Sequence, residues 1–171
     1  MIRVNISLGL SAAEVKHLHT LAQVNVDCRD CFREAMVQST SPEIRVTFAA
    51  LAKECGHHAD ALRNLLSANA DTPPTSTSMR GAADCLWMSL RATFGDTSEA
   101  LLSEAHRMAE YAEQCYVQTL QSINGRAVRQ LISEQLAAVR KSASHIQNLR
   151  DHQAGRSSPG GSVERNAHRT L

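Results

Sequence analysis

Four stretches of roughly two dozen residues each place apolar side chains at every third or fourth position, the spacing that lines one face of an α-helix. Together they occupy most of a 171-residue chain, and helix punctuation bounds each one. Ser11-Ala-Ala-Glu14 is a capping box, in which hydroxyl and carboxylate satisfy backbone N–H groups that a helix start leaves unpaired. The first helix is predicted from there to about Gln38. Ser41-Pro42-Glu43 supplies a cap, a proline at the first helical position and a carboxylate near the positive end of the dipole, predicting a second helix to about Ala68. Asp71-Thr-Pro-Pro-Thr-Ser-Thr-Ser78 opposes helix and reads as a loop. A short helix is expected from about Met79 to Phe94, with Ala83, Trp87, Leu90 and Phe94 on one face, before Gly95-Asp96 breaks it. The third long helix runs from about Ser98 to Ile123. Asn124-Gly125, which tolerate left-handed geometry, end it, and the fourth continues to about His152. Beyond that, Gly, Ser and Pro accumulate without periodicity, so 11–152 is read as the folded domain and 153–171 as a disordered tail.

Advancing about 100° per residue assigns the inward faces. They are Leu18, Leu21, Asn25, Cys28, Phe32 and Ala35, with Cys31 close by, on the first helix, and Ile44, Phe48, Leu51, Cys55, Ala59 and Leu62 on the second. The third gives Leu101, Ala105, Met108, Ala112, Tyr116 and Ile123; the fourth gives Leu131, Gln135, Ala138, Val139, Ser142, Ile146 and Leu149. Such stripes are seams of a bundle, so the fold class is all-α. The connection between the second and third helices, about 28 residues, is long enough for a crossover along the bundle. It is equally compatible with a segment folded over one end of an up-and-down bundle, and both topologies stay open at this point.

Charge and composition exclude several function classes. Lys plus Arg number 18 against 17 for Asp plus Glu, so no general attraction to nucleic acid or to an anionic membrane is encoded. No apolar run approaches the roughly 20 residues that span a bilayer, and polar residues interrupt the first ten positions too early for an export signal. The expected location is cytoplasmic. The five cysteines, Cys28, Cys31, Cys55, Cys85 and Cys115, are odd in number and scattered along helices, which favours reduced core thiols over a disulfide framework. No phosphate-binding glycine loop, nucleophile elbow or paired zinc-finger motif is present.

Two constellations carry possible chemistry. Glu54-Cys-Gly-His57 has the Glu-x-x-His spacing of di-iron bundles. However, His57 lies about 160° from the centre of its apolar stripe and points to solvent, whereas His58 lies about 60° away and can face inward. The usable pair is therefore Glu54 and His58, and the fourth helix offers Glu134 with Ala137 where a second motif needs histidine. Glu34, Glu54, Glu104 and Glu134 all fall about 100 to 120° to the same side of their stripes, where a helix meets a neighbour or water. Cys28-Arg-Asp-Cys31 has redox or metal spacing but sits in mid-helix, without the strand-to-helix context of thioredoxin-like chemistry, so core packing is the favoured reading. The alternative is a thiolate site of Cys28, Cys31 and Cys55 for Cu(I) or Zn. Asn25, Gln135 and Ser142 are inward polar residues that read as register-fixing hydrogen bonds.

The chain resembles bacterial ferritin-like four-helix-bundle proteins of unknown function, a domain-of-unknown-function family, over about residues 14 to 151. The resemblance lies in Asp27-Cys-Arg-Asp-Cys-Phe32-Arg33-Glu34-Ala35, in Pro42-Glu43 with Phe48, Leu51, Ala52 and Glu54, and in Gly81, Trp87 and Leu90. It continues through Leu102, Glu104, Ala105, Arg107 and Tyr116, then Gln135, Ile146, Leu149 and Arg150. His106 and Ala109 stand where the family tends to place carboxylates, and Cys28 and Cys31 where it usually shows glycine. The resemblance implies a ferritin-like bundle with a short additional helix in the long connection, and it imports no activity. The expectations are then a non-catalytic, self-associating module, a dimer by preference, with a binding or structural and stress-related role. The alternatives are a metal protein using Glu34, Glu54, His58 and Glu104 for iron or another divalent ion, and the thiolate site.

Overall fold

The computed structural model describes residues 9–69, 74, 76, 78 and 97–157. Four helices are formed among them, and no strand: α1 (Ala12–Gln38), α2 (Pro42–Ala68), α3 (Thr97–Ser122) and α4 (Arg126–Ser157). The expected short helix at 79–94, with Trp87, lies outside the described residues.

The helix starts follow their local chemistry. Ser11 caps α1 reciprocally: Glu14 N–H donates to Ser11 Oγ at 3.3 Å, and Ser11 N–H donates to Glu14 Oε2 at 2.8 Å. Ser41 occupies the cap position of α2 without a side-chain cap bond, leaving Pro42 and Glu43 to set that terminus. The α3–α4 turn departs from expectation, because among the described residues Gly9 is the one glycine with positive φ (61°) and Gly125 is not left-handed. Arg129 Nη1 instead donates to the terminal carbonyls of Leu120 and Ile123, at 2.5 and 2.7 Å, so the guanidinium does what a left-handed cap would otherwise do. α4 runs to Ser157, five residues past the expected His152. Those residues pass through Gly155, whose cost of about 1 kcal/mol in a helix interior does not stop the last turns.

Cross-helix hydrogen bonds define the topology. Glu14 accepts from Asn124 N–H at 2.9 Å, His17 Nε2 lies 3.1 Å from Ser122 Oγ, and Asn25 Nδ2 donates to Tyr116 Oη at 2.8 Å. Residue numbers fall on α3 as they rise on α1, so the two are antiparallel. Ser142 Oγ donates to Glu54 at 2.7 Å, and Gln135 Nε2 to the His58 carbonyl at 3.4 Å, which makes α2 and α4 antiparallel as well. The helix order is therefore up, down, down, up. The chain leaving α2 must return the length of the bundle, about 39 Å for a 26-residue helix, before α3 begins. Three described points lie on that return: Pro74 O accepts from Arg63 (3.1 Å), Ser76 O from Gln23 (3.0 Å), and Ser78 N–H donates to Asp27 (2.7 Å). These helix directions and the three described bonds fit the crossover rather than the end-capping alternative, and residues 79–96 lie outside the described residues.

A continuous core fills the space between the helices. Every inward position expected on α1 and α3 is buried, and on α2 all but the half-buried Cys55 are. On α4 the buried set is Val128, Ile132, Gln135, Leu136, Val139, Ala143, Ile146 and Leu149, while Leu131, Ala138 and Ser142 are half-buried. The expected stripe is displaced because α4 packs closely on α3 and loosely on α2, which leaves its α2-facing side partly open. No helix of the described residues is long and apolar enough to cross a membrane.

Candidate functional site

At mid-height the four helices border a small cavity of about 20 Å³, whose walls include Asn25 and Cys28 of α1, Glu54, Cys55 and His58 of α2, Ala112 of α3 and Ser142 of α4. Such a space holds about one water-sized guest. Helical spacing explains the wall: 54 and 55 each lie one turn from 58 on α2, as 25 does from 28 on α1. Outside it, a groove of about 310 Å³ runs along the loose α2–α4 seam, lined by Val46, Ala50, Lys141 and His145. Leu51, Glu54 and Ser142 line both spaces, so the Glu54–Ser142 hydrogen bond stands between groove and cavity.

A chain of buried polar groups crosses the bundle beside the cavity. Asn25 Nδ2 donates to the Leu21 carbonyl and to Tyr116 Oη, each at 2.8 Å, and Tyr116 Oη donates to Gln135 Oε1 at 3.0 Å. Tyr116 is 0% exposed. Burial drives its phenol far above the ordinary range, partly offset by the Asn25 hydrogen bond. The hydroxyl stays protonated at any ordinary pH and serves as a fixed donor. His58 packs its ring edge-on to Tyr116, with centroids 6.3 Å apart. Its Nδ1 is buried and without a hydrogen-bond partner among the described residues. Burial lowers the imidazole pKa, against an opposing pull from Glu54, and His57 lowers it further, so the neutral ring is favoured. His57 itself is exposed, as its helical angle required.

The carboxylates of the expected metal set do not converge. Glu34 accepts from Gln38 Nε2 at 2.8 Å, Glu54 accepts from Ser142, and Glu104 pairs with Arg107 on its own helix. Glu104 is 2% exposed, where the flank position implied contact with water or a neighbouring helix; the Arg107 guanidinium compensates its burial. Of the four residues, only Glu54 and His58 share a cavity wall. Among the described residues no group of three or more His, Cys, Asp or Glu is placed to hold a metal ion.

The cysteines divide differently from expectation. Cys31 is disulfide-bonded, so the reading of uniformly reduced thiols fails there and a Cys28–Cys31–Cys55 thiolate site lacks one of its sulfurs. Cysteine number and helical spacing cannot reveal which sulfurs the tertiary fold brings together. Cys28, Cys55 and Cys115 are free; Cys85 lies outside the described residues. The neighbouring Cys28 thiol, then burial, then the negative charge that Cys28 and Glu54 can carry, hold the Cys55 thiol well above its usual pKa.

Glu14 does more than its capping box implied. It is buried, and its carboxylate also takes the Asn124 N–H of the α3–α4 turn, tying the start of α1 to that turn. These bonds, from Asn124 first and then Ser11, hold its pKa below the usual carboxylate value. Nothing in the local sequence pointed to the second role, because the partners stand 110 residues apart. A larger cleft of about 470 Å³ lies between α1 and α3, bordered by Gln23, Asp27, Ser78 and Arg107. Its carboxylate is already engaged, since Asp27 accepts from Ser78 and Gln23.

No curated protein matches the chain. A family model described as "Domain of unknown function (DUF2383)" matches residues 13–121, which take in α1, α2 and nearly all of α3, and the chain belongs to that family.

Proposed function

We propose that this chain is a ferritin-like bundle with a non-catalytic role, a binding or structural module of stress-related character that assembles as a homo-oligomer, a dimer by preference. The up-down-down-up order supports the ferritin-like part, because bundles of that kind join two antiparallel pairs through one long crossover. The observation that carries the non-catalytic part is the state of the candidate donors. Glu34, Glu54 and Glu104 are each held by a different neighbour, and the Asn25–Tyr116–Gln135 chain fills the polar centre of the bundle. A di-metal centre, which needs inward carboxylates from several helices around two ions, does not fit these residues. Val37 and Val46, 72% and 71% exposed on either side of the α1–α2 turn, support self-association through that end.

Metal analysis of protein purified without chelators tests the first part: less than a tenth of an equivalent of iron, manganese or zinc is expected, and stoichiometric metal lost on changing Glu54 and His58 would overturn it. Light scattering tests the second. A mass near twice 18.7 kDa is expected at micromolar concentration, and a monomer there removes the self-association.

A further inference from the structure

Thr20, Gln23, Val24, Asp27 and Cys28 recur at helical spacing on one face of α1, and with Arg107, Met108 and Tyr111 of α3 they border the cleft of about 470 Å³. Within it, Asp27 Oδ1 accepts from Gln23 Nε2 at 2.8 Å and from Ser78 N–H at 2.7 Å, and Oδ2 accepts from Ser78 Oγ at 2.5 Å. Gln23 and Ser78 themselves border the cleft, so the carboxylate held between them lies on its wall. All three donors are neutral. They fix the direction of a half-buried carboxylate without cancelling its charge, and no cation pairs with it among the described residues.

We propose that this cleft binds a small organic cation, a primary ammonium group on an apolar body, with Asp27 as its counter-charge. The site is separate from the central cavity, with which it shares Cys28, and it requires neither self-association nor any metal.

Acceptor count and charge favour that class of ligand. An ionised carboxylate offers about four lone-pair sites. Two on Oδ1 and one on Oδ2 are taken, so the remaining site is on Oδ2. An ammonium N–H fills it and supplies the missing positive charge, and hydrogen bonds of that charge-assisted kind are the stronger ones. An anion meets repulsion from Asp27 instead, and the guanidinium of the wall, Arg107, is already paired with Glu104 on its own helix. A metal ion is the poorer fit, because the described residues bring no three His, Cys, Asp or Glu together to hold one.

The rest of the wall sets the body of the ligand. Val24, Pro74, Met108 and Tyr111 contribute carbon and sulfur surface. The volume of about 470 Å³ falls within the roughly 300–1,000 Å³ of small-molecule pockets. At about 30 Å³ for each water-sized group, it admits roughly 15 non-hydrogen atoms. Thr20 is exposed, so the cleft is reached from solvent.

The test is titration of the full chain with three probes that share an indole ring and a short arm and differ in the charge at its end: tryptamine (cationic), tryptophol (neutral) and indole-3-acetate (anionic). Methyl-labelled protein followed by nuclear magnetic resonance gives both affinity and location. Tryptamine is expected to bind saturably, with Overhauser contacts to the Met108 and Val24 methyl groups, and indole-3-acetate to bind most weakly. Asp27→Asn, which keeps an acceptor for Gln23 and Ser78, should weaken tryptamine roughly 10- to 100-fold, the span expected for a hydrogen bond to a charged group, and leave tryptophol unchanged. Glu34→Gln, which removes a carboxylate outside the cleft, should bind tryptamine as wild type does. Wild type without saturable tryptamine binding at millimolar probe overturns the proposal, as does tryptophol or indole-3-acetate binding as tightly as tryptamine. Full retention of tryptamine by Asp27→Asn, or contacts elsewhere on the protein, also overturns it. Should Asp27→Asn lose its helical circular dichroism spectrum, the ranking of the three probes and their contacts on wild type decide.

Discussion

Removing one oxygen atom from the bundle centre, by Tyr116→Phe, isolates the energetic role of the buried polar chain. The ring stays in place and the packing volume hardly changes, so the loss is confined to two hydrogen bonds, the one accepted from Asn25 and the one donated to Gln135. Asn25 Nδ2 keeps its bond to the Leu21 carbonyl, but Gln135 Oε1 loses the donor from Tyr116 in a side chain only 4% exposed. Stranding a buried acceptor costs about 1–3 kcal/mol. With a urea dependence of about 1–3 kcal/mol per molar, the unfolding midpoint should fall by about 1 M, and Tm by roughly 2–4 °C for each kcal/mol lost. Urea unfolding followed by circular dichroism measures this directly. The triple change Asn25→Leu, Tyr116→Phe, Gln135→Met removes the stranded groups together with the chain, and should recover much of the loss, because an apolar replacement of both partners is close to neutral. A Tyr116→Phe protein within about 0.5 kcal/mol of wild type, or a triple variant weaker than the single one, refutes the argument that the cost comes from an orphaned acceptor.

Three further outcomes are expected. Glu14 has a folded pKa below its unfolded value near 4.3, so its contribution is complete above that value and fades as pH falls through the folded one. Urea midpoints of wild type and Glu14→Gln should differ at pH 7 and converge near pH 2. His58 has its pKa lowered chiefly by burial, so the unfolded chain binds the proton more readily and stability declines as pH drops from about 6.5 towards the folded value. Denaturant melts of His58→Gln should show a flatter decline between pH 7 and 5, and an unchanged slope would refute this. Leu62, with no exposed surface, should cost about 2–5 kcal/mol on truncation to alanine, read as a shift in urea midpoint at constant m-value.

Local rules made much of this molecule legible. The Ser11-Ala-Ala-Glu14 box fixed the start of α1, Pro42 fixed that of α2, and the 100° rotation placed Cys28, Tyr116 and His58 inward and His57 outward. Each of these depends on residues within a turn or two of one another. The break expected at Asn124-Gly125 is there, but Gly125 is not left-handed, and Arg129, reaching back from the next helix, donates to the Leu120 and Ile123 carbonyls. The face of α4 was displaced because burial depends on which neighbour a helix lies against, and periodicity alone gives the width of a stripe, not the tightness of its seam.

The sequence by itself determined four helices, their order and nearly all the residues that fill their shared core, since helix formation and amphipathicity are written in spacings of three and four. Tertiary structure alone decided the rest. It set the helix directions, through pairs such as Asn25 with Tyr116 and Glu54 with Ser142. It also placed Cys28 and Cys55 on one cavity wall, committed Cys31 to a disulfide and gave each carboxylate a separate partner. These contacts link residues far apart in the chain, and their geometry follows from how helices dock, which no local pattern encodes.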